Sequence, residues 1–102
     1  MPEWKSVGKI TDMPEEGEAR EFSVGDKMVC VAKIAGHFHA LDNVCVHRGG
    51  PLGQGVVMDD KLVCPWHGWV YDPTTGVPDV NPSVKVEVYP VKIEGEEVLL
   101  EI

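Results

Sequence analysis

The chain has 102 residues, of which 43% are hydrophobic and 25% are charged, and these are ordinary values for one globular domain. Its 9 basic and 17 acidic residues give a formal net charge of -8, which disfavours nucleic acid as a partner because phosphate binding needs a basic surface. No apolar stretch approaches the roughly 20 residues of a membrane helix, and the N-terminus lacks the apolar segment of a secretory signal. We therefore expect one domain over residues 1–102, located in the cytoplasm and bound to neither nucleic acid nor membrane.

Short apolar runs between turn residues predict an all-β fold for the first half of the chain. A strand over 21–24 and a turn at Gly25-Asp26 lead into a longer strand over 28–34. The alternation in this longer strand predicts one apolar face, formed by Met28, Cys30, Ala32 and Ile34. Ala35-Gly36 then predicts a tight turn into a return strand over 38–41. The acidic segment 13–18 is expected to be a solvated loop.

The second half of the chain continues the pattern. Residues 56–63 predict a hairpin with its turn at Asp59-Asp60. Alternating valines at 84, 86 and 88 predict another strand, and Pro90 separates it from a run at 91–93. A turn over 94–96 and a last strand over 98–102 close the chain. No apolar stripe at helical spacing extends beyond two turns.

Two long stretches, about 43–55 and 64–82, resist a strand interpretation because they are rich in glycine and proline. Loops of this length in a small domain usually carry function. The first holds Cys45-Val46-His47 and the second opens with Cys64-Pro65-Trp66-His67. Thiolates and imidazoles at such close spacing can converge on one metal centre.

Two other interpretations of these residues are open. Isolated cysteines and histidines are most often core or surface residues, as we expect for Cys30, His37 and His39. A structural zinc ion could also take two cysteines and two histidines, although zinc fingers usually place Cys with Cys and His with His along the chain. Here each loop carries one of each, which suits a centre of two irons with one ligand from each loop on each iron.

The two segments, Cys45-x-His47-Arg48-Gly49 and Cys64-Pro65-Trp66-His67-Gly68-Trp69, resemble the Rieske [2Fe–2S] motif. The resemblance implies a Rieske-type antiparallel β-sandwich, a cluster-binding subdomain made of the two loops, and one [2Fe–2S] cluster per chain. It further implies that both cysteines bind one iron, and that both histidines bind the other. The neighbouring residues implied to surround the cluster are Arg48, Gly49, Gly50, Pro51, Trp66, Gly68, Trp69 and Tyr71.

Departures from the respiratory members of that family are informative. Those proteins carry two further cysteines that bridge the loops, at the positions of Gly50 and Trp66, and a serine at the position of Trp69. The tyrosine two residues further on is retained as Tyr71. The chain therefore resembles the soluble ferredoxin and oxygenase branch of the family.

The resemblance implies a one-electron carrier that takes electrons from a flavin reductase and passes them to a terminal oxygenase. It would be an electron-transfer component without a catalytic centre, since 102 residues leave no room for an oxygenase domain with its own iron. The alternative is the small Rieske subunit of an NAD(P)H-dependent nitrite reductase, and a third interpretation is a zinc-binding or regulatory protein. We expect transient docking at the cluster tip, where Pro51, Leu52, Pro65 and Trp66 offer apolar surface.

Overall fold

The computed structural model describes residues 3–45, 49–66 and 68–102, and within them the fold is almost entirely β. All strand pairings in its three sheets are antiparallel, as predicted. The strands are β1 (Trp4–Lys9), β2 (Ala19–Val24), β3 (Lys27–Ile34), β4 (His37–Asp42), β5 (Val56–Met58), β6 (Lys61–Val63), β7 (Val70–Tyr71), β8 (Val88–Tyr89), β9 (Val91–Glu94) and β10 (Glu97–Glu101). Two 3₁₀ helices of three residues each cover Ile10–Asp12 and Leu52–Gln54.

The middle sheet, in the order β2-β3-β4-β8, packs against a neighbour on each face. On one face lies the sheet β1-β10-β9, whose Val98 and Leu100 are fully buried. On the other face lie the small sheet β5-β6-β7 and the two long loops, with Leu62 and Tyr71 fully buried. The result is a β-sandwich with a loop-rich subdomain added to one side, which confirms the predicted fold class.

Both faces of β3 are buried, which the sequence alternation did not predict. Cys30 and its same-face neighbours pack into the core beneath the two loops, which we call the loop-side core. Val29 and Val31 belong to the opposite core, beneath β10, which we call the sheet-side core. Met28 was predicted on the apolar face with Cys30 but is 43% exposed, at the second residue of the strand. A strand buried on both sides gives no clean alternation.

The turn predictions are confirmed by the backbone. Ala35 has φ 53° and Gly36 has φ 80°, and Asp59 and Asp60 have φ 51° and 61°. Positive φ at both central residues is the geometry that matches the twist of a two-residue hairpin.

The strand predicted over the alternating valines was wrong for most of its length. Only Val88 and Tyr89 are paired with β4, and the Glu87 carbonyl oxygen before them accepts the Asp42 N–H at 2.8 Å. Val86 is buried, but its N–H donates to the Gly76 carbonyl oxygen at 2.9 Å, so at Val86 the chain bonds to the second loop instead of to a sheet. Strands β1 and β7 were not predicted: β1 is largely exposed and bulged near Gly8, and β7 has two residues.

The acidic segment 13–18 is only partly solvated. Met13 and Pro14 are buried. The Glu16 carboxylate accepts the backbone N–H groups of Ala35 at 2.7 Å and Gly36 at 2.8 Å, and so caps the β3–β4 turn. Within the part of the chain that is described, no helix is long and apolar enough to cross a membrane.

Gly55 lies where no larger residue fits. Its φ of -80° suits any residue, but a Cβ atom there would overlap the Val63 carbonyl oxygen on β6. We expect Gly55→Ala to destabilise the fold by about 3 kcal/mol, since the overlapping atom is rigid backbone. The thermal unfolding midpoint, followed by circular dichroism, should fall by roughly 15 °C for a chain of this size.

The matched control is Gly25→Ala. Gly25 has φ 61°, and a Cβ atom on it would meet no other atom within 4 Å, so this variant reports backbone strain without overlap. It should cost roughly 1 kcal/mol, or roughly 5 °C. Equal shifts for the two variants would contradict the close approach of the first loop to β6.

Candidate metal centre

The first loop, residues 43–55, folds back on itself around Cys45. The Cys45 N–H donates to the Gly50 carbonyl oxygen at 2.8 Å, and the Gly49 N–H donates to the Cys45 carbonyl oxygen at 2.9 Å. Val44 and Pro51 form an antiparallel bridge just below. Gly49 has φ 73°, a backbone conformation that favours glycine. These bonds bring Gly49 and Gly50 back beside Cys45.

The second loop, residues 64–82, begins in the same way. Cys64 directly follows β6, and its N–H donates to the Trp69 carbonyl oxygen at 2.8 Å. Gly68 lies in the turn with φ 70°. Each loop is thus closed by a backbone hydrogen bond from the cysteine N–H to the carbonyl of the fifth residue after it.

The two cysteine side chains are brought together in the loop-side core, and each is 1% exposed. Burial raises the pKa of the Cys64 thiol to about 11; the Trp66 N–H opposes this rise, and the adjacent Cys45 adds to it. A pair of thiols held side by side and shielded from water fits a metal centre that both would bind as thiolates, with release of their protons.

The contact between the loops depends on a glycine at position 50. A Cβ atom on Gly50 would lie 3.0 Å from the Cys64 sulfur and 2.9 Å from Cγ of Trp66. Gly50 is buried, so the first loop rests directly on the cysteine of the second. Gly50 and Trp66, at the positions that carry the bridging cysteines in the respiratory proteins, therefore do face each other.

Tyr71 was predicted beside the centre, and the structure places its hydroxyl oxygen 2.7 Å from the Cys45 sulfur. Tyr71 is fully buried on β7. When Cys45 is a metal-bound thiolate it has no proton, so the tyrosine hydroxyl is the donor. Trp69 is half-buried and packs against the same core.

Three predicted site residues, His47, Arg48 and His67, lie outside the described residues. Among the residues that are described, no group of three His, Cys, Asp or Glu side chains could hold a metal ion. The structure therefore describes the two cysteines of the predicted ligand set. Cys30 lies in the core as expected, fully buried on β3, and burial raises its pKa to about 12, with a smaller contribution from Glu21.

The predicted apolar tip needs one correction. Leu52 was expected on the surface, but it is fully buried in the loop-side core, where it begins a 3₁₀ helix. Val44 was not singled out, yet it is 51% exposed, and Trp66 is 48% exposed. The alternation of buried Asn43, exposed Val44 and buried Cys45 explains this outcome and was visible in the sequence only as a polar-apolar-Cys triplet.

The chain is similar to known iron–sulfur proteins in sequence and in structure. The family model described as "Rieske [2Fe-2S] domain" matches residues 3–90. The ferredoxin component of the alkene monooxygenase system of Xanthobacter autotrophicus is 36% identical over 100 residues, covering 96% of this chain and 80% of that protein. A chain in the solved complex of reduced oxygenase and oxidized ferredoxin in carbazole 1,9a-dioxygenase is 29% identical, with a TM-score of 0.82 and coverage of 96% and 92%.

A longer protein also matches. Apoptosis-inducing factor 3 of Mus musculus is 38% identical over 96 residues, covering 93% of this chain. The chain spans only 16% of that protein's length. The same sequence unit therefore occurs both in small ferredoxin components and as a minor part of larger proteins.

The Tyr71 hydroxyl provides a first test of the centre. A hydrogen bond to a cluster sulfur stabilises the more negative reduced state, so Tyr71→Phe should lower the reduction potential of a [2Fe–2S] centre bound here. We expect a drop of about 60 mV, equivalent to about 1.4 kcal/mol for one electron. Protein-film voltammetry measures this shift.

Tyr89→Phe is the matched control, because Tyr89 is buried in the sheet-side core and its hydroxyl accepts from Lys27 Nζ at 3.3 Å. The Tyr89→Phe variant should have the same reduction potential as the wild type. An unchanged potential in Tyr71→Phe would show that the hydroxyl does not reach the centre.

Proposed function

Because the chain belongs to the Rieske [2Fe–2S] family, we propose that it is a one-electron carrier whose cluster is held by Cys45, His47, Cys64 and His67. The observation that carries the proposal is the pair of adjacent, buried thiols of Cys45 and Cys64 at the bases of two loops with the same backbone closure. A [2Fe–2S] cluster supplies reversible one-electron chemistry when it is bound in such a site.

The assignment of the histidines rests on the motif. His47 follows its cysteine by two residues and His67 follows its cysteine by three, so each loop offers one sulfur and one nitrogen ligand. Neutral imidazoles leave an oxidised cluster less negative than four thiolates would, which raises the reduction potential. The protein's own contribution is to exclude water from the sulfurs and to donate the Tyr71 hydrogen bond.

The relatives suggest the partners. One is named as a ferredoxin component of a monooxygenase system, and the matching solved structure contains an oxygenase together with a ferredoxin. We infer that this chain, as one domain without a catalytic centre of its own, accepts electrons from a flavin reductase and passes them to a terminal oxygenase. Its three cysteines form no disulfide with one another, which fits a reducing compartment such as the cytoplasm.

The surface beside the cysteines suits a transient complex. Val44, Gly49, Pro65 and Trp66 are exposed, and none of them is charged. Small apolar contacts of this kind are typical of weak redox complexes with little buried area. We place the docking surface here, with Val44 replacing Leu52 in the predicted set.

The ligand set is tested by single substitutions. Replacing Cys45, His47, Cys64 or His67 by Ala should abolish the visible absorbance of the cluster, since each removes one of four ligands. Cys30→Ala should retain it, because that thiol is enclosed in the core on β3. The reduced wild type should also show a lower average g value in EPR than a four-cysteine [2Fe–2S] centre.

Iron and sulfide analysis distinguishes this proposal from the zinc alternative. Zinc without sulfide in the purified protein would overturn the electron-carrier function. Loss of the cluster in Cys30→Ala, with retention in any of the four ligand variants, would overturn the ligand assignment.

Docking is tested by making one exposed apolar residue polar but neutral. Val44→Gln should weaken binding to a ring-hydroxylating oxygenase about tenfold, a typical loss for a central interface contact. The reduction potential should not change, because no charge is added. Titration of the labelled ferredoxin with the oxygenase measures the affinity.

Ile93→Gln is the matched control. Ile93 is 53% exposed and lies in a groove with Gly36 and Phe38, at the other end of β4 from the first loop. It should bind as the wild type does. An equal loss of oxygenase affinity in both variants would argue against docking beside the cysteines.

The alternative function has its own test. Electron delivery to a sirohaem nitrite reductase instead of an oxygenase would favour it.

A further inference from the structure

Asn43 ties together the two ends of the first loop. It is 6% exposed, and it is the buried polar residue among the described side chains. Its backbone carbonyl accepts the Leu52 N–H at 2.8 Å, and its side-chain oxygen accepts the Gly53 N–H at 2.7 Å. Its own N–H donates to the Met28 carbonyl at 3.1 Å. The residue two positions before Cys45 is therefore bonded both to the loop's far end and to β3.

Glu21 on β2 fixes the orientation of this side chain. Its carboxylate accepts from Asn43 Nδ2 at 2.7 Å and from Gln54 Nε2 at 3.1 Å. Gly53 adds a steric constraint, because a Cβ atom on it would overlap the Glu21 side chain and lie 2.8 Å from Asn43 Oδ1. The middle sheet and the first loop thus meet through four residues that leave no room for a larger side chain at position 53.

The neighbours of the Asn43 side chain determine which of its atoms donates and which accepts a hydrogen bond. The Gly53 N–H requires an acceptor, and the Glu21 carboxylate requires a donor. A neutral amide offers both, with the acceptor and the donor on separate atoms. An Asp at position 43 would serve Gly53 but would place a second carboxylate against Glu21, and a buried polar contact that loses its partner is costly.

We propose that Asn43, oriented by Glu21, is a positioning residue for the first loop and holds Cys45 in place for cluster binding. The inference rests on the proposed function only in taking the cluster to be what Cys45 binds. Asn43 precedes Cys45 by two residues, so its effect passes through the backbone from position 43 to position 45.

The test exchanges the hydrogen-bond donor and acceptor between positions 43 and 21 in the cluster-loaded protein. Asn43→Asp should accelerate cluster loss to a chelator about tenfold, as expected when a buried hydrogen bond is replaced by repulsion. It should also speed amide hydrogen exchange in peptides spanning 50–55 and alter the EPR line shape. Adding Glu21→Gln restores a donor opposite the new carboxylate, since the glutamine amide can donate to that carboxylate and accept from Gln54. The double variant should return to within about twofold of the wild type.

A charge-matched control separates geometry from net charge. Asn43→Asp combined with Asp26→Asn has the same net charge as the rescued double variant, but Asp26 is exposed in the β2–β3 turn. This control variant should lose its cluster to the chelator as fast as Asn43→Asp alone. Rescue by Asp26→Asn as complete as rescue by Glu21→Gln would overturn the proposal, and so would unchanged cluster loss and exchange in Asn43→Asp.

Two further outcomes are decisive. If Asn43→Asp alone fails to fold and Glu21→Gln restores folding, the pairing is supported directly; failure of the double variant to fold would overturn it. A wild type without an iron–sulfur cluster would remove the proposed function, whereas the exchange rates of 50–55 across the variants would still report whether the pair anchors the loop.

Discussion

The burial of β3 on both faces is the constraint from which the rest of the structure follows. One face of this strand packs under β10 and the other packs under the two cysteine loops. A strand in that position cannot shift its register without moving apolar residues of both cores. The loops therefore pack on a strand of fixed register. A site whose ligands lie on loops needs such rigid support to keep a defined geometry.

Several hydrogen bonds connect the two cysteine loops to the middle sheet and to the chain next to it. Asn43 joins the first loop to β3, Glu21 joins it to β2, and the bond from Val86 to Gly76 joins the second loop to the chain before β8. The loops then contact each other through Gly50. Although rich in glycine and proline, they are held by backbone hydrogen bonds at their bases, and among the described residues beside the cysteines the exposed ones are Val44, Gly49, Pro65 and Trp66.

The sequence was sufficient for the hairpins, the sheet type and the place of the cysteines. The turns at Ala35-Gly36 and Asp59-Asp60 were predictable because local residue chemistry determines them. The burial of Val29 and of Leu52 was not, because each depends on a layer contributed by distant segments. The failure at Val84 and Val86 has the same origin: the valine alternation is typical of a strand, but the N–H groups of both residues donate to carbonyls of the second loop.

For the site, the spacing of the two Cys/His pairs predicted that Cys45 and Cys64 converge, and the family resemblance implied Tyr71 beside them; the structure brings these three residues together. Asn43 and Glu21 could not have been found in this way. They are 22 residues apart, and neither belongs to a recognisable motif. Their relation appears only when β2 and the first loop are seen side by side, since a single Asn after a strand is equally typical of an ordinary turn.

The fit of Gly50 against Cys64 has a consequence for thiol chemistry. Cys45 and Cys64 are each 1% exposed, and a Cβ atom at position 50 would lie 3.0 Å from the Cys64 sulfur, so reagents dissolved in water have little access to these cysteines. Reactive cysteines are partly exposed, whereas enclosed ones are inert. The contact that joins the two loops therefore also protects the cysteine pair from alkylation and from oxidation.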